Sequence, residues 1–337
     1  MVTKVSVLMP VYNGEKFIAD AIGSVLSQTF SNFELVIVND GSTDDSLKVI
    51  ESFNDQRIVY VHNAENTGLA NVRNKALGIA RGEYIAWLDS DDISLPTRLE
   101  KQVRALDANP RLGLCGTWVK TIGGPSSDVW QYPTESDMLR SRMLFDDPLA
   151  TSSVMMRFAC LRDLDVYFDL DYPPAEDYQL WERISRQWEL SNIPEILTLY
   201  RVHAAQTSVV KVEKQQAAIW AIQCQMLDQL DIAPTNDEMK LHIDIGAGWR
   251  FLDDRSRVNS AEQWLLRLAS ANSAKKVFPQ AAFREVLAER WFYSVNAISG
   301  DGLSSWFVYN RSALSRWPKR RVWRLLRMLL KCMINGR

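Results

Sequence analysis

YIAWLDSDDISLP, residues 84–96, sets three aspartates in four positions immediately after a strongly apolar run. The run reads as a buried strand, and the aspartates fall where that strand ends. Crowding carboxylates costs mutual repulsion. A bound divalent cation would offset that cost, since Mg²⁺ and Mn²⁺ take oxygen ligands and commonly combine one or two carboxylates with substrate phosphates. Asp89 and Asp91, two apart at a strand terminus, can be turned onto one ion. The rival reading is an acidic surface turn that opens the helix starting at 97. A calcium-binding helix–loop–helix is excluded. Glu100 does stand twelfth from Asp89, but Ile93 and Ser94 occupy the places of an oxygen ligand and a glycine, and Pro96 follows.

Working outward, the chain before this stretch alternates two periodicities. VSVLMPV (5–11), FELVIVND (33–40) and RIVYVHN (57–63) are compact β-branched runs, read as strands. Between them, 17–28, 42–53 and 68–82 carry helical spacing, with Ser42 and Thr43 as N-cap candidates and Gly82 as a stop. Strands alternating with helices predict right-handed βαβ units in a mostly parallel, Rossmann-like sheet flanked by helices. Ligands of such sheets bind outside the carboxyl ends of the strands. Those ends are Pro10-Val11-Tyr12, Asn39-Asp40-Gly41, Asn63 onward and Asp89-Ser90-Asp91-Asp92, so one edge gathers four loops. Further on come a helix (97–108), a strand or hairpin (112–124) with a glycine-containing loop, a strand (149–158), a helix (176–188) and a strand (196–203). From about 212 the pattern is helical throughout. A domain change is therefore expected near 210, giving domains 1–210 and 211–337.

Each remaining motif supports two readings taken alone. Asp40 in VNDGSTDDS can accept from a nucleobase or ribose, or simply serve a strand-to-helix turn. Tyr12 can stack beside a base or fill the core. Glu176 and Asp177 in PPAEDYQLWERIS suit the positive end of a helix dipole. They also place Asp177 as a general base, with Glu176 beside it and Trp181 one turn on toward an acceptor cleft. His203 in YRVHAAQTS is a plain polar residue or a contact to an ion or diphosphate at a strand end. Neither glycine-rich phosphate-loop spacing is present, which disfavours a nicotinamide-dinucleotide fold.

In combination and in this order, residues 3–210 resemble family 2 of the inverting glycosyltransferases, which have the GT-A type fold. The resemblance rests on SVLMPVYNGEKFIADAIGSVLSQTFSNFELVIVNDGSTDDS, ENTGLANVRNKALGIARGEYIAWLDSDD, EDYQLWERIS and YRVHAAQTS. It implies a hexosyl-type transfer from a nucleoside-diphosphate sugar, UDP being the expected nucleotide, to a glycan or lipid-linked saccharide in surface polysaccharide assembly. It implies that Pro10, Val11, Tyr12, Glu15 and Asp40 hold the nucleoside. Arg73 would serve the phosphate side. Asp89 and Ser90 would lie at the ribose or metal side, Asp91 would bind Mn²⁺ or Mg²⁺, Asp177 would be the base, and His203 a later diphosphate or metal contact. Two other classes remain in view, a sugar-nucleotide nucleotidylyltransferase and a non-catalytic sugar-nucleotide-binding protein. The first wants a glycine-rich basic loop after the first strand, where PVYNGEKF offers only Lys16.

The 337 residues, 47% of them hydrophobic, suffice for a sizeable core and two domains. Cysteines 115, 160, 224 and 332 form no close pair or zinc spacing, which favours a reducing compartment. The N-terminus reads as a first strand and not as a signal peptide, and no apolar run reaches eighteen residues. The net charge of −2 divides into +9 on residues 311–337 and −11 on the rest. Within that tail, 317–334 reads as a basic amphipathic helix. Arg320, Arg324, Arg327 and Lys331 share one face, and Val322, Leu325, Leu326, Leu329, Leu330 and Met333 the other. With Trp317 and Trp323 it suits an anionic membrane surface, or else packing against the acidic body. The expected location is the cytoplasmic side, peripheral on the inner face of the cell membrane. Nucleic acid is not an expected partner, because the body is acidic.

Overall fold

The structure is a computed structural model and describes residues 2–162, 167–206, 210–246, 255–298 and 303–317. The chain forms two compact units, one of Met1–Ser136 with Pro148–Ile219, the other of Asp137–Asp147 with Trp220–Arg337.

The first unit opens β1 (Val5–Val11), α1 (Ile18–Leu26), β2 (Phe33–Asp40), α2 (Ser46–Glu51), β3 (Ile58–Asn63), α3 (Leu69–Ile79) and β4 (Tyr84–Trp87). β1 pairs in parallel with both β2 and β4, and β2 in parallel with β3. The carboxyl ends of these strands therefore share one edge. β1 and β2 are buried along their whole length, which is why they read as unbroken apolar runs and not as alternating ones. The acidic loop then turns back into β5 (Ile93–Ser94), followed by α4 (Arg98–Ala108) and β6 (Leu112–Ile122) with its hairpin partner β7 (Val129–Trp130). After α5 (Ser136–Arg142, which belongs to the second unit from Asp137 on) come a 3₁₀ turn at Thr151–Ser153, β8 (Met155–Arg157), α6 (Ala159–Arg162), α7 (Glu176–Ser185) and β9 (Glu189–Arg201). The sheet order is β3-β2-β1-β4-β8-β6-β9-β5, with β8 antiparallel to β4 and β6. This is a mixed, largely parallel sheet flanked by helices.

Three local expectations differ from what is seen. The helix expected over 42–53 is shortened to 46–51, and Ser42 and Thr43 do not cap it. Ser42 Oγ accepts from the Asn13 amide (2.9 Å) and the Thr43 amide donates to Asn13 Oδ1 (2.8 Å), so both serve the neighbouring loop. The strand expected over 149–158 is confined to 155–157, because 151–153 winds as a 3₁₀ turn. The last strand begins at 189, seven residues before the expected 196.

The second unit holds α8 (Val212–Asp228, which begins in the first unit), α9 (Asn236–Gly246), α10 (Arg255–Lys275), α11 (Gln280–Ala297) and α12 (Leu303–Arg311). Its core includes Val258, Leu265, Phe283, Leu287 and Trp291, each at most 1% exposed. Buried His242 accepts from Trp264 Nε1 at Nδ1 (3.0 Å), and its Nε2 lies 2.8 Å from the Leu144 carbonyl. Burial pushes this imidazole down to about 4, so it is a neutral structural group at ordinary pH. Beyond Trp317 the expected basic amphipathic helix lies outside the described residues.

Candidate active site

The site is built at the carboxyl edge of β1, β2 and β4, and two loops are laced together to make its first wall. The amides of Asn13, Gly14 and Glu15 donate to Ser42 Oγ, Ser46 Oγ and Asp44 Oδ2 at 2.8–3.0 Å. In return Asp45 donates its amide to Glu15 Oε2 at 3.0 Å. Glu15 is thereby a loop staple. Pro10 and Val11 are buried within β1, and Tyr12, 52% exposed, projects just past it. Ser90 lies against this loop, since a Cβ placed on Gly14 would come within 3.2 Å of Ser90 Oγ.

Asp40 closes the second strand. Its carboxylate accepts from Asn63 Nδ2 (2.8 Å), from the Thr67 amide and hydroxyl (3.0 and 2.8 Å) and from the Gly68 amide (2.9 Å). It is buried, yet these donors hold it ionised below its ordinary value against the cost of burial. Asp40 thus anchors the entry to α3. Gly41, at φ +67°, makes the turn possible, because a side chain there would strike the Glu65 backbone at 2.6 Å.

α3 carries Arg73 under the acidic loop. Arg73 is 3% exposed and lies beside three carboxylates. Its Nη1 is 3.0 Å from Glu176 Oε1 and 3.8 Å from Asp177 Oδ2, and its Nη2 is 3.5 Å from Asp89 Oδ1. The guanidinium also faces the rings of Phe168 and Trp87, at 5.4 and 5.9 Å. Burial lifts Glu176 and Asp89 above their ordinary values, Arg73 opposing and Asp177 adding to the lift in both. Glu176 is 1% exposed, and its Oε2 has no hydrogen-bond partner among the described residues. Asp177, on the first turn of α7, accepts from the Thr151 hydroxyl at Oδ2 and from the Tyr178 amide at Oδ1 (2.8 Å), with its side chain 23% exposed. Trp181 is fully buried and packs edge-on against Phe168, so it is core here and presents no surface to a cleft.

β5 pairs with β9, with Ile93 opposite Leu199, and this folds the acidic loop against the end of β9. His203 Nε2 then lies 2.9 Å from Asp91 Oδ2. Arg201 fastens the loop from beneath, its amide donating to Asp92 Oδ1 and its Nε to the Asp91 carbonyl, both at 2.8 Å. Gln206 Oε1 accepts from the His203 amide (3.1 Å), and Phe17 lies against the imidazole at 4.9 Å. Asp92 is buried and raised well above its ordinary value by burial, Asp91 and Asp89, and its Oδ2 has no partner among the described residues.

Among the described residues no three His, Cys, Asp or Glu side chains converge as a cation cage. Asp91 and His203 offer one oxygen and one nitrogen. That pair fits an ion whose shell is completed by diphosphate oxygens and water, and an imidazole favours Mn²⁺ over Mg²⁺. The sequence candidates therefore gather in two groups, Arg73–Asp89–Glu176–Asp177 and Asp91–His203, joined by the 89–92 loop. Sequence reasoning missed Thr151, Ser152, Arg201 and Gln206. Arg201 and Gln206 stood inside the YRVHAAQTS motif, whereas Thr151 and Ser152 were hidden in an apparent strand.

Comparison with known proteins extends the geometry. The sequence model described as Glycosyl transferase family 2 matches residues 6–165. An uncharacterized glycosyltransferase of Haemophilus influenzae is 36% identical over 223 residues, covering 63% of this chain and 69% of the relative. WfaP of Escherichia coli, a UDP-Glc:alpha-D-GlcNAc-diphosphoundecaprenol beta-1,3-glucosyltransferase, is 32% identical over 211 residues, 62% of this chain and 82% of the relative. The crystal structure of S. aureus TarS 1–349 in complex with UDP-GlcNAc superposes with a TM-score of 0.59 at 21% identity, covering 94% of this chain and 93% of that one, and it shares the fold.

Proposed function

The chain belongs to glycosyltransferase family 2, and from that premise we propose that it is a metal-dependent inverting enzyme. In this reading it moves a sugar from a UDP-sugar to a hydroxyl of a lipid-linked saccharide. One observation carries the proposal. A partly exposed carboxylate, Asp177, stands beside the same buried arginine as Asp89, the first residue of the loop that carries Asp91 and His203.

The acceptor hydroxyl gives its proton to Asp177 as its oxygen bonds to the anomeric carbon. The bond from that carbon to the diphosphate oxygen breaks, and its electron pair leaves with the nucleoside diphosphate. Attack from the opposite face inverts the configuration, so one base suffices, unlike the two-carboxylate glycosidase arrangement. Asp91 and His203 would hold a divalent ion, whose chemistry is to neutralise charge on the departing diphosphate. Tyr12 would lie beside the base, and the 10–15 and 40–46 loops would enclose the nucleoside. Lipid-linked specificity draws support from WfaP, and UDP from WfaP and from the TarS complex. No helix among the described residues is long and apolar enough to cross a membrane. The basic segment 317–334 would supply attachment to an anionic inner membrane face.

The test is incubation with Mn²⁺, a lipid-diphosphate saccharide and a panel of nucleotide sugars, followed by assay of the phosphate product. Nucleoside diphosphate released with glycosylated lipid is expected, and chelator should abolish it. Pyrophosphate release would instead identify a nucleotidylyltransferase, and no turnover with any donor would leave only a binding protein.

A further inference from the structure

We infer that Thr151 is a positioning residue that dictates which oxygen of Asp177 receives the acceptor proton. The inference rests on the proposed activity with Asp177 as its base. Thr151 sits in the 151–153 turn, and that turn is a rigid mount. Ser153 Oγ donates to the Ala150 carbonyl (2.7 Å) and accepts from the Thr117 amide (3.3 Å), while Ser152 Oγ accepts from the Asp89 amide (3.1 Å). Ser152 and Ser153 are buried and Thr151 nearly so. Neighbouring hydroxyls of one turn thus reach the start of the acidic loop and the base itself.

The two oxygens of Asp177 are held unequally. Oδ2 accepts from the Thr151 hydroxyl and is the oxygen facing Arg73 Nη1 at 3.8 Å. Among the described residues Oδ1 accepts only the amide of the next residue, at 2.8 Å, a contact that leaves it room for a second proton donor. Hydrogen bonding and a cation both drain basicity from Oδ2, so Oδ1 is the oxygen left for the acceptor. Glu176, buried against Arg73, holds the same Nη1 at 3.0 Å. The turn therefore fixes the base in relation to Asp89, and so the point of proton removal in relation to the departing diphosphate.

Thr151→Val keeps the shape of the side chain and removes the donor; Thr151→Ser keeps the donor. In steady-state transfer assays per folded molecule, Thr151→Val should lower kcat about tenfold and leave the donor KM within about twofold, the pattern of a mis-aimed base. Thr151→Ser should stay within about threefold of the wild type. A hydroxyl that served stability alone would lower the folded fraction of Thr151→Val without changing kcat. A kcat for Thr151→Val within about twofold of the wild type, or a Ser variant as slow as the Val variant, overturns the inference. A crystal structure of Thr151→Val decides the matter independently of turnover. The Asp177 carboxylate should have rotated, and an unchanged carboxylate overturns the inference. Absence of transfer by the wild-type chain would instead sink the underlying activity, and the two failures stay distinct.

Discussion

Two arginine–carboxylate clusters, one in each unit, are built from the same residue types and differ in balance. In the second unit Arg290, 4% exposed, and Arg142 meet Asp146 at 2.5 and 2.9 Å, and Arg142 reaches Glu289 at 3.3 Å. Arg290 also donates to the Gly246 carbonyl at 3.1 Å. Two cations face two carboxylates, and Asp146 is held below its ordinary value because both arginines outweigh its burial. Among the described residues of the first unit, Arg73 alone faces Asp89, Glu176 and Asp177. Two of those three are lifted by burial, and Glu176 Oε2 and Arg73 Nε have no partner among the described residues. Full pairing of buried charge marks structure, whereas an uncompensated surplus at a sheet edge marks a place that expects something charged to arrive.

The comparison breaks most easily at the base. Asp177→Asn should cost about a thousandfold in kcat, within the range of general-base losses, and should unfold at nearly the wild-type temperature. Retention of full transfer would remove Asp177 from the mechanism. The next largest effect belongs to the arginines. Arg73→Met strands buried carboxylates and should cost about 3 kcal/mol in urea unfolding, whereas Arg290→Met leaves Asp146 its partner Arg142 and should cost less. They should separate in the assay. Folded Arg290→Met should turn over at the wild-type rate, whereas Arg73→Met should not. Equal slowing of both would erase the distinction drawn between the clusters.

Legibility followed range along the chain. The parallel βα units came from local periodicity, and the edge that collects Pro10, Asp40 and Asp89 came from the rule for strand ends, so their placement could be read residue by residue. The 151–153 turn could not, because Thr151-Ser152-Ser153-Val154-Met155 carries β-branched and apolar residues that fit a strand as well as a turn. Its purpose is set by Thr117, Asp89 and Asp177, residues 26 to 63 positions away. Ser42 and Thr43 failed as caps for a similar reason: Asn13, 29 or 30 residues distant, competes for them. For Arg73 the resemblance implies only a contact on the phosphate side. Its burial against Phe168 and Glu176 depends on a segment 95 to 103 residues further along, and no periodicity announces that.

The smallest effect is also the sharpest discriminator, because it predicts opposite signs. Glu176 titrates above its ordinary value of 4.5 in the folded chain. The native state then binds its proton more tightly than the unfolded state, and the contribution of Glu176 to stability is lost as pH rises from the unfolded value through the raised one. Asp146 is depressed from 3.8, so its contribution is present at higher pH and is lost as pH falls through the depressed value. Glu176→Gln should therefore gain on the wild type as pH rises, and Asp146→Asn should gain on it as pH falls. The two differences are read from urea midpoints at a series of pH values between about 3 and 7. Should the two difference curves slope the same way, Glu176 is as well compensated as Asp146, and the surplus of negative charge assigned to the Arg73 cluster does not exist.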